Sequence, residues 1–221
     1  MKERPCSEEQ FLKNVKDHKA IIIRDDDERA YRHIRFRQPK DSNMYFDLIT
    51  WPGHLCFTGD MGTYVFERVE DMFGFFRNNH TKDKNIGLSI NPDYWGEKLL
   101  CSDKVSGFQK FSPERFKERA RDHLERCEYD EILQERIWKE VEESVLCYLD
   151  GDFDQENRAY RKIQDFVSEE EPSFIFLDFF DGGGTNEYTY RYIWCLYAIV
   201  WGISKYDEVR AEKENTTAVA P

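Results

Sequence analysis

The stretch Arg29–Arg37 (RAYRHIRFR) gathers cations and aromatic rings in one alternating run. Read as a strand, it sets Tyr31, His33, Arg35 and Arg37 on one face and Ala30, Arg32, Ile34 and Phe36 on the other. Cations beside an aromatic ring suit a phosphate or a single-stranded nucleic acid. The same pattern also serves as a solvent-facing strand, or as a sheet edge guarded by charge. A second phosphate candidate is the loop Asp181-Gly182-Gly183-Gly184-Thr185, expected to precede a helix, where the amides of Gly182, Gly183 and Gly184 could cradle an anion. It lacks the Lys-Ser/Thr ending of a P-loop, and no G-x-G-x-x-G follows a clear strand. A plain break before a helix is the competing reading.

Metal chemistry has weaker support. Asp178, Asp181 and Glu187 offer hard oxygen ligands but not the spacing of a calcium loop. His54 and Cys56 share a strand face, yet His80 and Cys101 do not supply the second spaced pair of a zinc site. Neither set amounts to a metal site, and no cofactor is expected. There is no G-x-S-x-G and no other nucleophile signature. The expectation is therefore binding rather than catalysis, with catalytic residues unassigned.

The carboxylates form the largest feature. The 221 residues carry 32 Lys+Arg against 44 Asp+Glu, a net charge of −12. Residues 1–110 hold 18 of each sign, whereas residues 111–221 hold 14 basic and 26 acidic groups. Glu140, Glu142 and Glu143, then Asp150, Asp152 and Asp154, then Glu169, Glu170 and Glu171 form three closely spaced acidic groups. Carboxylates spaced on a folded surface imitate a phosphate backbone and attract a basic groove. A solvated helix face is the plainer alternative. The same balance argues against direct nucleic-acid binding as the general role of the chain.

These groups must be positioned by a folded chain. The length suffices to bury a core without disulfides or metal, and an aromatic share of 15% excludes disorder over most of it. Met1–Gln10 has no apolar stretch, so no export signal is read there. The six cysteines, none in a C-x-x-C pair, read as reduced thiols of a cytosol. The longest apolar run, Tyr192–Ile203, is about half to two-thirds of a membrane span and reads as a buried helix.

Ser7 and Gln10 make a capping box for a first short helix. Ala20–Arg24, Arg29–Arg37, Met44–Trp51, His54–Phe57 and Thr63–Phe66 then follow at hairpin spacing and predict an antiparallel meander of about five strands. A helix containing Val69, Met72, Phe73 and Phe76 covers it. Beyond a turn-rich connection at Asn91–Lys98, helices are predicted at Glu114–Cys127, Asp130–Leu149 and Gln155–Val167. Ser173–Phe180 reads as a strand or a tight helical turn. Thr185 or Asn186 caps a last helix to about Val209, placed centrally because it is apolar nearly all round. The fold class is α+β. Its expected divisions are a near-neutral sheet-plus-helix region at 1–105, an acidic helical region at 106–211 sharing the core, and a frayed tail at 212–221.

Phe46–Phe66 (FDLITWPGHLCFTGDMGTYVF), Glu70–Arg77, Ile90–Leu99 and Tyr188–Tyr206 resemble a family of uncharacterised proteins encoded by tailed bacteriophages and prophages. The likeness runs from about Ser7 to Asp207. It implies an accessory phage protein of the bacterial cytosol, and small acidic proteins of that origin are often inhibitors of host nucleases, including restriction and CRISPR enzymes. On this reading the acidic half docks on a basic host protein. The alternative is a nucleotide- or nucleic-acid-binding protein or enzyme using strand 29–37 and the Gly182–Gly184 loop.

Overall fold

The alternation in the first third of the chain becomes a six-stranded antiparallel sheet in the order β1 (Lys19–Asp26), β2 (Tyr31–Arg37), β3 (Phe46–Trp51), β4 (His54–Gly59), β5 (Gly62–Glu67) and β6 (Leu99–Cys101). The computed structural model describes residues 5–26, 29–77, 87–149, 154–181 and 183–218. Two units are distinguished: Met1–Gln109 with Tyr188–Pro221, and Lys110–Glu187. The fold is α+β, with the antiparallel sheet covered by helices and a helical region towards the C-terminus.

In the first unit the predicted capping box closes α1 (Glu8–Val15): the Gln10 amide donates to Ser7 Oγ, and the Ser7 amide donates to Gln10 Oε1. Asp71 accepts the Phe73 amide at the start of α2 (Met72–Arg77), which leaves Val69 outside the helix. Asn91 and Pro92 start a short helix, α3 (Pro92–Gly96), inside the stretch expected as a plain connection. The sixth strand was not expected. Leu99–Cys101 is too short to show a period of its own and is ordered by pairing with Val65 and Phe66 of β5.

The last helix, α7 (Tyr190–Ala218), belongs to this first unit. Every residue from Tyr192 to Ile203 is buried against the inner face of the sheet, α1 or α2, as a helix apolar all round requires. At Gly202 an added Cβ would stand 2.8 Å from Leu48 Cδ1 and 3.2 Å from the Phe36 ring, so glycine lets the helix lie this close to β2 and β3. Trp194 sits in the middle of this layer, with its ring 5.1 Å from that of Phe11 and 5.6 Å from that of Phe46.

Both ends of α7 differ from expectation. Thr185 and Asn186 do not cap it; Asn186–Tyr188 is strand β8, paired with β7 (Gln109–Phe111), and Thr189 Oγ1 accepts the Tyr192 amide instead. At the other end, residues 212–218 continue the helix rather than fray. Ala211-Glu212-Lys213-Glu214 are strong helix formers, and the Arg210–Glu214 pair lies at i,i+4. Among the described residues, no helix is long and apolar enough to cross a membrane.

The second unit is built from α4 (Pro113–Glu125), α5 (Glu131–Ser144) and α6 (Gln155–Gln164), with a 3-10 turn at Leu146–Leu149. Ser112 caps α4 and Pro113 opens it, as the sequence predicts. Phe116, Ala120 and Leu124 of α4 meet Ile137 and Val141 of α5 and Ala159 and Ile163 of α6 in a separate apolar cluster. Of the region expected at 106–211 to share the core, α7 does so with the sheet, whereas the described apolar residues of Lys110–Glu187 form a cluster with no member in common with it. Ser173–Phe180 is neither strand nor helix but a chain of turns. Pro172 precedes it, Asp178 has φ +51°, and Phe174, Phe176 and Phe179 pack edge-on against one another.

Candidate functional site

The register of β2 against β3 decides what the basic strand can do. Arg35 lies opposite Asp47, a carboxylate that the sheet buries almost completely. Arg35 Nε donates to Oδ1 at 2.8 Å and Nη2 to Oδ2 at 2.9 Å, while His33 Nε2 lies 2.8 Å from Oδ2. Burial pushes the Asp47 carboxyl up, but the hydrogen bonds and charges of Arg35 and His33 outweigh it and hold the group below the usual aspartate range. The predicted face is therefore real, with Tyr31, His33, Arg35 and Arg37 on the side opposite buried Ile34 and Phe36. Its chemistry differs from the expectation, because His33 and Arg35 are spent on Asp47, while Tyr31 and Arg37, at the two strand ends, lie outside this network.

A depressed aspartate stabilises the fold above its ordinary value of about 3.9, and that contribution is lost as pH falls through the lower folded-state value. Urea midpoints measured between about pH 2 and 6 should fall at the acid end for the native chain. Asp47→Asn should flatten part of that fall. An unchanged pH profile in the variant would remove the network from the stability of the sheet.

Arg32, sent to the other face by alternation, is the cation the sequence reading passed over. It is buried, pairs with Asp71 at 2.8 Å and sits 4.8 Å from the Phe73 ring centroid. Its signal was available in the alternation, which aims Arg32 into an apolar face, where a charge needs a partner.

The acidic groups of the second unit divide in two. Glu140 is internal in role: its carboxylate accepts the Ser168 hydroxyl at 2.6 Å and the amides of Glu169 and Glu170 at 3.1 Å each. Glu171 caps its own turn, with the Ser173 hydroxyl and amide holding its carboxyl below the usual range. Glu142, Glu143, Asp154, Glu169 and Glu170 are exposed. Glu142 lies 3.3 Å from Lys117, Glu143 3.9 Å from Lys139 and Glu170 3.2 Å from Arg136. Asp150 and Asp152 lie outside the described residues.

No group of three or more His, Cys, Asp or Glu side chains that could hold a metal ion occurs among the described residues. His54 stacks on Trp51 with ring centroids 4.9 Å apart and lies 3.0 Å from the Pro52 carbonyl, while burial pushes the Cys56 thiol up. His80 lies outside the described residues. Glu187 pairs with Lys110 at 3.0 Å.

The glycine loop does not stand at a helix N-terminus, since it leads into β8. Gly183 and Gly184 have φ of +72° and +101°, and Gly182 lies outside the described residues. What the loop meets is α4. Arg119 Nε donates to the Phe179 carbonyl and Nη2 to that of Asp181 at 2.7 Å; Arg115 Nη1 donates to Asn186 O at 2.9 Å. Gly184, Arg115, Arg119, His123 and Arg126 line a groove of about 210 Å³. The glycine loop and strand 29–37 belong to different units.

Comparison of the chain with protein-family models, with curated proteins and with solved structures returns no match.

Proposed function

We propose that the chain acts by binding, as an accessory factor of phage origin in the bacterial cytosol whose acidic helical unit docks on a basic host protein such as a nuclease or CRISPR component. One observation carries this reading. Lys110–Glu187 holds 22 Asp+Glu against 11 Lys+Arg, a net of −11, so nearly the whole −12 of the chain belongs to one folded unit. A charge so confined produces a directed field that speeds encounter with a basic surface and disfavours acidic ones.

The carboxylates best suited to docking are the exposed Glu142, Glu143, Asp154, Glu169 and Glu170, because Glu140 and Glu171 are engaged with their own backbone and turn. Screening sets the test. The Debye length is about 10 Å at 0.1 M salt and about 3 Å at 1 M. The immobilised chain should capture a basic protein from bacterial lysate at about 0.05 M salt and release it by about 0.5 M. The triple variant Glu142→Gln, Glu143→Gln, Glu169→Gln should capture less. Equal capture by the variant, or capture indifferent to salt, would sink the docking assignment.

A further inference from the structure

The groove between α4 and the glycine loop is a cationic site inside the acidic unit. Arg115 and Arg119 of α4 and Arg126, which caps its C-terminal end with helical φ/ψ, stand at i, i+4 and i+11 and so share one face. Among the described residues none of the three lies within salt-bridge distance of a carboxylate, although the surrounding unit carries twice as many acids as bases. Arg115 and Arg119 are instead tied to main-chain carbonyls, which orient a guanidinium without neutralising it.

The remaining donors have room to act. With Nε and Nη2 of Arg119 engaged, Nη1 makes no hydrogen bond among the described residues, and it is the atom that an added Cβ at Gly184 would meet, at 2.9 Å. Glycine at 184, with its φ of +101°, therefore leaves uncovered a donor that a side chain would obstruct. Arg115 keeps Nε and Nη2, and Arg126 is exposed on the same wall. Phe179 lies under the Arg119 guanidinium, 5.4 Å to the ring centroid, and fixes its plane. Glu118 and Asp122 also line the groove, so the local balance is one positive charge when His123 is neutral. His123 Nε2 lies 3.2 Å from the Ile175 carbonyl, which places the proton there. A tetrahedral oxyanion offers several acceptors to several fixed donors, the match at which guanidinium groups excel.

We propose that this groove binds a phosphate group, either free or as the monoester of a small molecule. The Gly183–Gly184 loop then contributes to phosphate binding through its openness beside Arg119, with α4 in place of strand 29–37 as the source of cations. The site uses none of the exposed carboxylates assigned to docking, so phosphate binding and partner capture succeed or fail separately.

The test uses the full chain, with inorganic phosphate and adenosine monophosphate as probes, titrated at fixed ionic strength against chloride while backbone amide shifts are followed. Saturable shifts confined to Arg115–Arg126 and Gly183–Gly184 are expected with phosphate, with the monoester or with both. Tighter binding of the monoester assigns an esterified ligand, and equal binding assigns the phosphate alone. Arg119→Ala risks freeing the loop, so the deciding variant is Arg126→Ala, which breaks no carbonyl bond and should weaken binding about tenfold with the fold unchanged. The site is overturned by no saturable shift from either probe at about 10 mM, by equal shifts with chloride, or by unchanged affinity in Arg126→Ala.

Discussion

Trp194→Ala lowers the stability of the sheet unit by about 3–5 kcal/mol, the largest single-residue effect expected in the chain. The ring is fully buried and meets the rings of Phe11, Phe46 and Phe57 from α1, β3 and β4. Its Nε1 donates to Asn14 Oδ1 at 3.1 Å, so truncation opens a cavity and also strands an amide oxygen. The ring is held by a helix and by strands on the facing layer, and collapse into the space would have to distort both. Amide exchange in β2, β3 and β4 reads the loss directly, without assuming one transition for a chain with two cores. Trp194→Phe keeps most of the apolar volume and should cost clearly less. Equal costs, or a loss under about 1 kcal/mol for alanine, would mean that the layer is not packed around this ring.

Glu140→Ala should cost the helical unit about 2–3 kcal/mol. This carboxylate closes the backbone of the segment after α6: it takes two successive amides and the hydroxyl of Ser168, a residue almost wholly buried. Removing it leaves three donors without their acceptor. Glu143→Ala, by contrast, removes an exposed group whose contact to Lys139 is long, and it should leave stability unchanged within error. Thermal unfolding of the two variants side by side separates a carboxylate that builds the fold from one that faces solvent. If both behaved alike, the Ser168–Glu170 turn would not depend on Glu140. The comparison also guards the docking test, because a Glu140 variant changes the Ser168–Glu170 turn as well as the surface charge.

Much of the sheet was legible because local chemistry and alternation agree there. Ser7 and Gln10 cap as written, Ile34 and Phe36 turn inward, and Ser112-Pro113 opens α4. What escaped depends on partners far along the chain. Asp47 stands twelve residues from Arg35, and only the register of a hairpin brings them together, though an acid inside an apolar strand was a visible hint. Leu99–Cys101 is a strand only because β5 offers it an edge. The glycine loop was read with the segment that follows it, whereas its structural partner, Arg119, lies some sixty residues earlier. Local pattern reports faces and caps; it does not report which element crosses a given helix.

The order of the units has a consequence for how the chain reaches this state. Tyr192–Ile203 completes the core beneath the sheet, yet it is synthesised only after the 78 residues of Lys110–Glu187. Until then the inner faces of β2, β3 and β4 lack their principal cover and are most open to wrong associations. Closing a flexible connection of that length costs about 4 kcal/mol in chain entropy. Folding Lys110–Glu187 first, with β7 and β8 paired, removes most of that cost before α7 arrives. A chain in which Lys110–Glu187 folds first would therefore meet a smaller entropic cost when α7 packs beneath the sheet.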